Sequence, residues 1–177
     1  MLILEYLNWE ILVLIAGTFN NNGMLAAMVI ICTIGGSLIT IPYGMSISAV
    51  AMVGNALGAN RPNEAKANAK LIMMASVLVS VSVTLCLVVF KETIIMIYDD
   101  ETEVLEFTYP AFITFCAVFN FDWQQNCMCG LIKAVNQQGN ASIASFTTMV
   151  LISIPLGTTL GVTYGWGLSG LWIGYGT

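Results

Sequence analysis

The chain has 177 residues, of which 58% are apolar and 8% are charged, and its formal net charge is −5. Because a soluble domain carries about 25% charged residues, this composition indicates an integral membrane protein. The acidic balance without a basic cluster argues against nucleic acid as a partner. The five cysteines lie in apolar runs without histidine or zinc-ligand spacing, so no metal or other cofactor is expected.

The long apolar runs predict an all-α integral membrane fold with about six transmembrane helices in one domain, residues 1–177. A helix that crosses a hydrocarbon core of about 30 Å needs about 20 residues. In chain order, the predicted spans are 1–18, 24–55, 71–90, 107–132, 142–164 and 168–177, with the last expected to be truncated.

Two of these spans contain an internal proline. The second span is longer than a bilayer needs at about 1.5 Å per residue, and Pro42 in its middle predicts a kink. Pro155 predicts a bend near the end of the fifth span. Such breaks occur near the moving elements of transporters, although a kink that serves packing alone is an equal alternative.

The basic residues are distributed unequally among the connections. Connections 58–70 and 133–141 carry four of the five, and connection 91–106 carries the other. The positive-inside rule then places the first two connections in the cytoplasm. Counting back gives a cytoplasmic N-terminus, in a plasma membrane or a vacuolar or other endomembrane.

Three acidic residues fall within predicted spans: Glu5, Glu10 and Asp122. A charged side chain at the bilayer centre costs about 2.5–3.5 kcal/mol on insertion scales, so such acids are candidate functional residues. Glu5 lies near the start of its span, where reaching the interface is an equal explanation. For Glu10 and Asp122 the alternative is a structural hydrogen bond between helices.

A carboxyl group in an apolar cavity supplies simple exchange chemistry. Desolvation disfavours its charged form, so it binds a proton, and its charged form pairs with a cation. One site that holds either a proton or a cation is the minimal requirement of an antiporter. The sequence therefore predicts cation or proton binding at these acids.

Polar and aromatic residues accompany the deep acids. Gln125 and Asn126 follow Asp122 at helical spacing, and Asn120 and Gln124 extend the polar patch. The aromatic residues Trp9 and Trp123 would suit a flat or cationic ligand, although aromatic residues at helical spacing serve packing more often. The predicted substrate cavity comprises Trp9, Trp123, Gln125 and Asn126.

The segment MVGNALGANRPNEAKANAK (52–70) closely resembles the V-x-N-x-LGAG-x-x-x-x-A segment of eukaryotic multidrug and toxic compound extrusion (MATE) transporters, which follows their eighth helix. Other motifs occur in the same order. LEYLNWEILVLIAG (4–17) resembles the family's seventh helix, SIPLG (153–157) matches GIPLG, and GLSGLWIG (167–174) matches the opening of the twelfth helix. The resemblance covers essentially the whole chain.

This resemblance implies twelve helices in two six-helix lobes, with this chain as the C-terminal lobe. It implies alternating-access export of organic cations or related xenobiotics, coupled to protons or sodium ions. Glu5 and Glu10 match the two acids of the helix-seven motif and Asp122 matches the acid of helix ten, which are implicated in cation and proton binding. Thr33 stands where some animal members have another acid.

Half of such a transporter should not transport alone, because the cavity and the rocking motion involve both lobes. The expected partners are therefore a missing N-terminal lobe, the lipid bilayer and a small organic substrate. A truncated, non-transporting membrane protein is the main alternative. A lipid flippase is less favoured because no basic residue lies mid-span, and a membrane enzyme is least favoured because no nucleophile–base pair is visible.

Overall fold

A computed structural model describes the backbone of residues 2–176 and the side chains of residues 6–176. Throughout the described backbone the regular structure is helical, with no strand. Four helical stretches are long and apolar enough to cross a membrane, and Tyr6–Gly17 is a shorter apolar helix. The predicted all-α membrane class is thus confirmed.

The helices of the described chain follow one another with short connections. In order they are α1 (Leu2–Gly17), α2 (Asn22–Leu38), α3 (Thr40–Gly58), α4 (Pro62–Val89), α5 (Lys91–Met96), α6 (Thr102–Ala134), α7 (Gln138–Thr148), α8 (Ile154–Thr158) and α9 (Gly167–Tyr175). Two π-helical turns, Met149–Ser153 and Thr159–Thr163, flank α8.

Several predicted connections are largely helical, which corrects the predicted boundaries. Helix α4 begins at Pro62 rather than at residue 71, because a proline in the first turn loses no intrahelical hydrogen bond. Helix α6 begins at Thr102 rather than at residue 107. Hydropathy identifies the apolar part of a helix, whereas polar residues extend these helices beyond it.

Asparagine ends three of the helical stretches. Asn20, Asn60 and Asn136 have φ values of 52°, 57° and 58° and follow α1, α3 and α6. Their left-handed conformation is costly for most L-residues but accessible to asparagine. These residues therefore allow the short reversals between successive long helices.

The predicted span 24–55 is two helices, α2 and α3, which meet at Ile39. Pro42 has no N–H, and its ring clashes with the carbonyl four residues earlier, that of Leu38. The interruption lies directly beside that carbonyl. The predicted long span is thus divided into α2 and α3 at the position where Pro42 disturbs the helical hydrogen bonds.

Pro155 lies in the first turn of α8, between the two π-helical turns. Such turns disturb the regular hydrogen-bond ladder of a long helix. In this region Gly157 and Gly161 face Gly170 and Gly174 of α9, and a Cβ atom at Gly170 would lie 2.6 Å from the Gly161 nitrogen. Small residues allow these two helical stretches to meet backbone to backbone.

Helix α6 is the centre of the packed helices of residues 2–176, which are called the lobe below, and it contacts α2, α3, α4 and α9. Gly130 allows α3 to approach closely, because a Cβ atom there would overlap the backbone of Ser46. Large side chains of α6 fill the core with residues of α1, α2 and α9. The fully buried members include Phe112, Phe115, Phe119, Trp123, Leu12, Met28, Ile31, Leu171 and Trp172.

Candidate functional site

Asp122 is a buried acidic residue of the central helix. Its side chain is 6% exposed, and Oδ1 accepts a hydrogen bond of 2.8 Å from Tyr175 Oη on α9. The only basic residue of α6 is Lys133, in its last turn, about 16 Å farther along the helix. The structure thus buries the carboxyl group of Asp122 among the packed helices.

Asn126 is buried one turn after Asp122. Its Nδ2 donates to the backbone carbonyl of Asp122 at 3.1 Å, so it stabilises the helix beside the carboxyl group. Gln125, in contrast, is exposed on the outside of the lobe. The structure therefore places Asn126 near Asp122 and directs Gln125 away from the core.

Four side chains form an aromatic cluster beside Asp122: Trp9, Phe115, Trp172 and Tyr175. Trp172 is central, with ring centroids 6.1 Å from Trp9, 4.8 Å from Phe115 and 5.8 Å from Tyr175. The contacts are edge-to-face, the favoured geometry for aromatic pairs. The cluster fixes the ring of Tyr175, and so directs its hydroxyl group toward Asp122.

Neighbouring helices hold Trp9 in this cluster. Asn8 Nδ2 donates to Ser153 Oγ at 3.3 Å in a buried contact, which joins α1 to the first π-helical turn. From α2, Gly35 leaves room for the rings, because a Cβ atom there would lie 2.8 Å from Trp9 and 2.9 Å from Phe115. Trp9 is therefore a packed residue of the lobe interior.

Glu10 occupies the opposite environment on the same helix. Consecutive helical residues point about 100° apart, so buried Trp9 is followed by an exposed Glu10 side chain. The structure thus places Asp122 inside the lobe and Glu10 on its surface, while the predicted Glu5 side chain lies outside the described residues.

Trp123 and the rest of the predicted polar patch have packing partners. Trp123 is fully buried and meets Phe119 edge-to-face at 5.9 Å. Gln124 accepts from Ser76 at 2.8 Å and donates to Ser80 at 3.0 Å, both on α4. Asn120 donates to Thr84 of α4 at 2.6 Å. The grouping of Asn120 and Gln124 with Asp122 is therefore wrong, because they bind α4 on another face of α6.

Exposed small and polar residues form a polar stripe along α2 and α3. Residues three or four apart share one helix face, and the stripe comprises Thr33, Ser37, Thr40, Gly44 and Ser48. The hydroxyl groups donate to backbone carbonyls three or four residues earlier in the chain, for example Thr33 to Val29 at 2.8 Å and Ser48 to Gly44 at 2.9 Å. The stripe thus carries hydroxyl groups with their own internal hydrogen bonds.

The outer face of α4 has the opposite character. From Leu71 onward, the exposed residues of α4 are mostly large and apolar, with one exposed hydroxyl group at Ser82. The large apolar residues include Leu71, Met74, Leu78, Val81 and Leu85. Such a face suits contact with lipid chains, whereas small residues favour close helix contact. The two surfaces of the lobe are therefore chemically distinct.

An open cavity of about 480 Å³ lies beside α2. Its wall includes Val29 and Thr33 of α2, together with Tyr98 and Asp99 after α5. Asp122 does not line this cavity. The buried carboxyl group and the open cavity are therefore separate features of the described chain.

Tyr175 was not predicted from the sequence. It lies in the short apolar run 168–177, in which no polar or charged pattern marked it as a partner of Asp122. Its contact joins residues 53 positions apart. Only the packing of α9 against α6 reveals it.

Comparisons with known proteins place this fold. The model of the MatE family matches residues 1–159. Multidrug and toxin extrusion protein 1 of Danio rerio is 27% identical over 99% of this chain and 30% of its own length. Protein DETOXIFICATION 16 of Arabidopsis thaliana is 27% identical over 98% of this chain and 36% of its own length.

Solved structures agree on the fold. The crystal structure of a eukaryotic MATE transporter has a TM-score of 0.90 at 23% identity, covering 97% of this chain and 39% of that one. An outward-facing multidrug resistance MATE family transporter has a TM-score of 0.88 at 15% identity, covering 99% and 38%. The chain thus spans 30–39% of the length of these proteins. Because the family model matches residues 1–159, the chain belongs to the MatE family.

Proposed function

We propose that this chain is one lobe of a secondary active efflux transporter. It would exchange protons or sodium ions for organic cations or related xenobiotics by alternating access. The observation that carries this proposal is the buried carboxyl group of Asp122 in a chain of the MatE family. A buried acid within a membrane helix is costly, and such acids commonly serve ion or proton pathways.

Asp122 would act as the exchange site. In its neutral form it carries a proton, and in its charged form it pairs with a sodium ion or a cationic substrate. Because it can hold only one of these at a time, binding of one ligand favours release of the other. Glu10 would be the second acidic site, on the lobe surface, and Glu5 the third.

The polar stripe supports a role for a second lobe. A membrane chain gains little by exposing hydroxyl groups and glycine to lipid, whereas such residues suit helix contacts or a water-filled cavity. The large apolar residues of α4 lie elsewhere on the surface. We therefore propose that the N-terminal lobe, or the aqueous cavity between lobes, adjoins α2 and α3.

Orientation and location belong to the same proposal. A cytoplasmic N-terminus is supported by the excess of basic residues in connections 58–70 and 133–141. The proposed membrane is the plasma membrane or a vacuolar or other endomembrane. Since the proposed reaction moves an unchanged substrate, the chain would act as a transporter rather than as an enzyme.

The experiment measures efflux of tetraphenylphosphonium, a hydrophobic organic cation, from cells that express the chain. Sequencing the transcript across both ends of the reading frame identifies the polypeptide to assay. We expect Asp122→Asn to abolish pH-gradient-driven or sodium-driven efflux at unchanged membrane abundance. Asp100→Asn is the matched control, because Asp100 is exposed in a connection.

The outcomes separate the candidate functions. Efflux that is equally fast in the Asp122→Asn variant contradicts the exchange site. Efflux only when a second lobe is present supports a half that needs a partner, in agreement with the 30–39% coverage of the relatives. If no cation efflux is measured either with the chain alone or with a second lobe present, the non-transporting alternative is favoured.

A further inference from the structure

Tyr175 links the buried carboxyl group to the aromatic cluster. Its hydroxyl group donates to Asp122 Oδ1 at 2.8 Å, and its ring lies 5.8 Å from Trp172 and 6.3 Å from Trp9. A hydrogen bond to an ionised carboxylate is about twice as strong as one between neutral groups, and a low dielectric strengthens it further. The strength of this contact therefore depends on the charge of Asp122.

The Tyr175 ring also contacts α1, through Trp9. Trp9 is 7% exposed and its ring is nearly perpendicular to those of Trp172 and Tyr175, at 87° and 73°. Gly35 closes the cluster from α2, with no room for even a methyl group. In such close packing, a neighbour must accommodate any displacement of one ring. A shift of the Tyr175 ring therefore displaces the ring of Trp9.

Trp9 in turn belongs to the helix that carries Glu10. The two residues are adjacent, one buried and one exposed, so a rotation or shift of α1 at Trp9 also moves the Glu10 side chain. A continuous path of contacts thus runs from Asp122 through Tyr175 and Trp9 to Glu10. It connects an acidic group inside the lobe with one on its surface.

We propose that Tyr175 is a positioning residue that holds the Asp122 carboxylate and transmits its charge to α1 through Trp9. When Asp122 is ionised, the Tyr175 hydroxyl group is fixed on Oδ1. When a proton or a cation neutralises Asp122, the hydrogen bond loses its charge-assisted strength and the ring shifts against Trp9. The relevance of this coupling to transport rests on the proposed function, whereas the coupling itself does not.

The test is a double-substitution cycle observed at Trp9. The chain is purified in lipid nanodiscs with ¹⁵N-labelled tryptophan, and Trp9→Phe identifies the Trp9 indole signal among the four tryptophans. Asp122→Asn removes the charge and conserves the shape. We expect Asp122→Asn to shift the Trp9 signal in the parent chain and to leave it unshifted in the Tyr175→Phe background.

Tyr164→Phe is the matched control. Tyr164 is 71% exposed, so this substitution also removes one phenolic hydroxyl group but leaves the cluster intact. In the Tyr164→Phe background, Asp122→Asn must still shift the Trp9 signal. The proposal is overturned if Asp122→Asn shifts the Trp9 signal equally with tyrosine and with phenylalanine at position 175. It is also overturned if Asp122→Asn does not shift the Trp9 signal in the parent chain.

Efflux assays separate this inference from the proposed function. We expect Tyr175→Phe to slow maximal tetraphenylphosphonium efflux several-fold with little change in KM, because the charge of Asp122 remains. If efflux depends on Asp122 but the Trp9 shift is independent of Tyr175, only the role of Tyr175 fails. If the Trp9 shift depends on Tyr175 but efflux is indifferent to Asp122, only the proposed function fails.

Discussion

Gly174 of α9 lies directly against the backbone of Gly157 in α8. A Cβ atom at Gly174 would overlap the Gly157 backbone and lie 3.0 Å from the Ser153 carbonyl oxygen. Backbone atoms cannot rotate away as a side chain can. Ser153 also accepts the buried hydrogen bond from Asn8, so this crossing fixes α9 beside both α8 and α1. The position of Tyr175, the next residue, depends on it.

Gly174→Ala is therefore expected to destabilise the lobe by about 1–3 kcal/mol, the usual cost of overpacking. The measurement is unfolding of the purified chain by titration with sodium dodecyl sulfate. Gly54→Ala is the matched control, because nothing lies within 4 Å of a Cβ atom at that helical position. Equal midpoints for the two variants would show that the glycine contact tolerates an added methyl group.

Gln124 is expected to stabilise the packing of α4 against α6. Gln124→Leu removes the hydrogen bonds to Ser76 and Ser80, and interhelical hydrogen bonds in membranes contribute about 0.6 kcal/mol on average and up to about 1.7 kcal/mol. We expect the free energy of unfolding to fall by about 1–2 kcal/mol, measured by the same titration. Gln125→Leu, at the exposed neighbouring position, should change stability much less. A larger loss for Gln125→Leu would contradict the assigned faces of α6.

Composition and apolar runs were sufficient to predict the helical membrane fold. An acid within an apolar run predicted a deep carboxyl group both at Asp122, which is buried, and at Glu10, which is exposed. The rest depended on which helix faces meet. Asn120 and Gln124 look equivalent to Asn126 in the sequence, yet they bind α4. Pro110 lies within the uninterrupted helix α6, whereas α2 and α3 separate near Pro42. Tertiary packing determines these features, so they could not be predicted from local sequence.

The polar stripe is expected to be accessible to water or to another lobe, in contrast to the outer face of α4. In a background with the five native cysteines replaced, Ser48→Cys should react with a membrane-impermeant, water-soluble thiol reagent in open, inverted or permeabilised vesicles. Leu78→Cys should react far more slowly, since position 78 is 69% exposed on the apolar face and lipid would cover it. Equal labelling rates at both positions would show that water reaches the polar stripe and the outer face of α4 equally, which contradicts this prediction.

Pro42→Ala tests whether the interruption at Ile39 serves motion or packing. Alanine supplies the missing N–H and relieves the clash with the Leu38 carbonyl, so we expect α2 and α3 to straighten. Spin labels at positions 29 and 55, both exposed, would be about 39 Å apart along a straight helix axis. The distance measured by pulsed electron paramagnetic resonance should increase in Pro42→Ala.

Pro110→Ala is the control for this experiment, because α6 is continuous through Pro110 and the label distance should stay constant. Pro42 is itself fully buried, so its ring also contributes packing. If Pro42→Ala lengthens the distance and abolishes efflux while the protein remains folded, the interruption at Ile39 is required for the transport cycle. If efflux persists with a straightened helix, Pro42 shapes the packing of α3 on α6 and is not required for movement between the lobes.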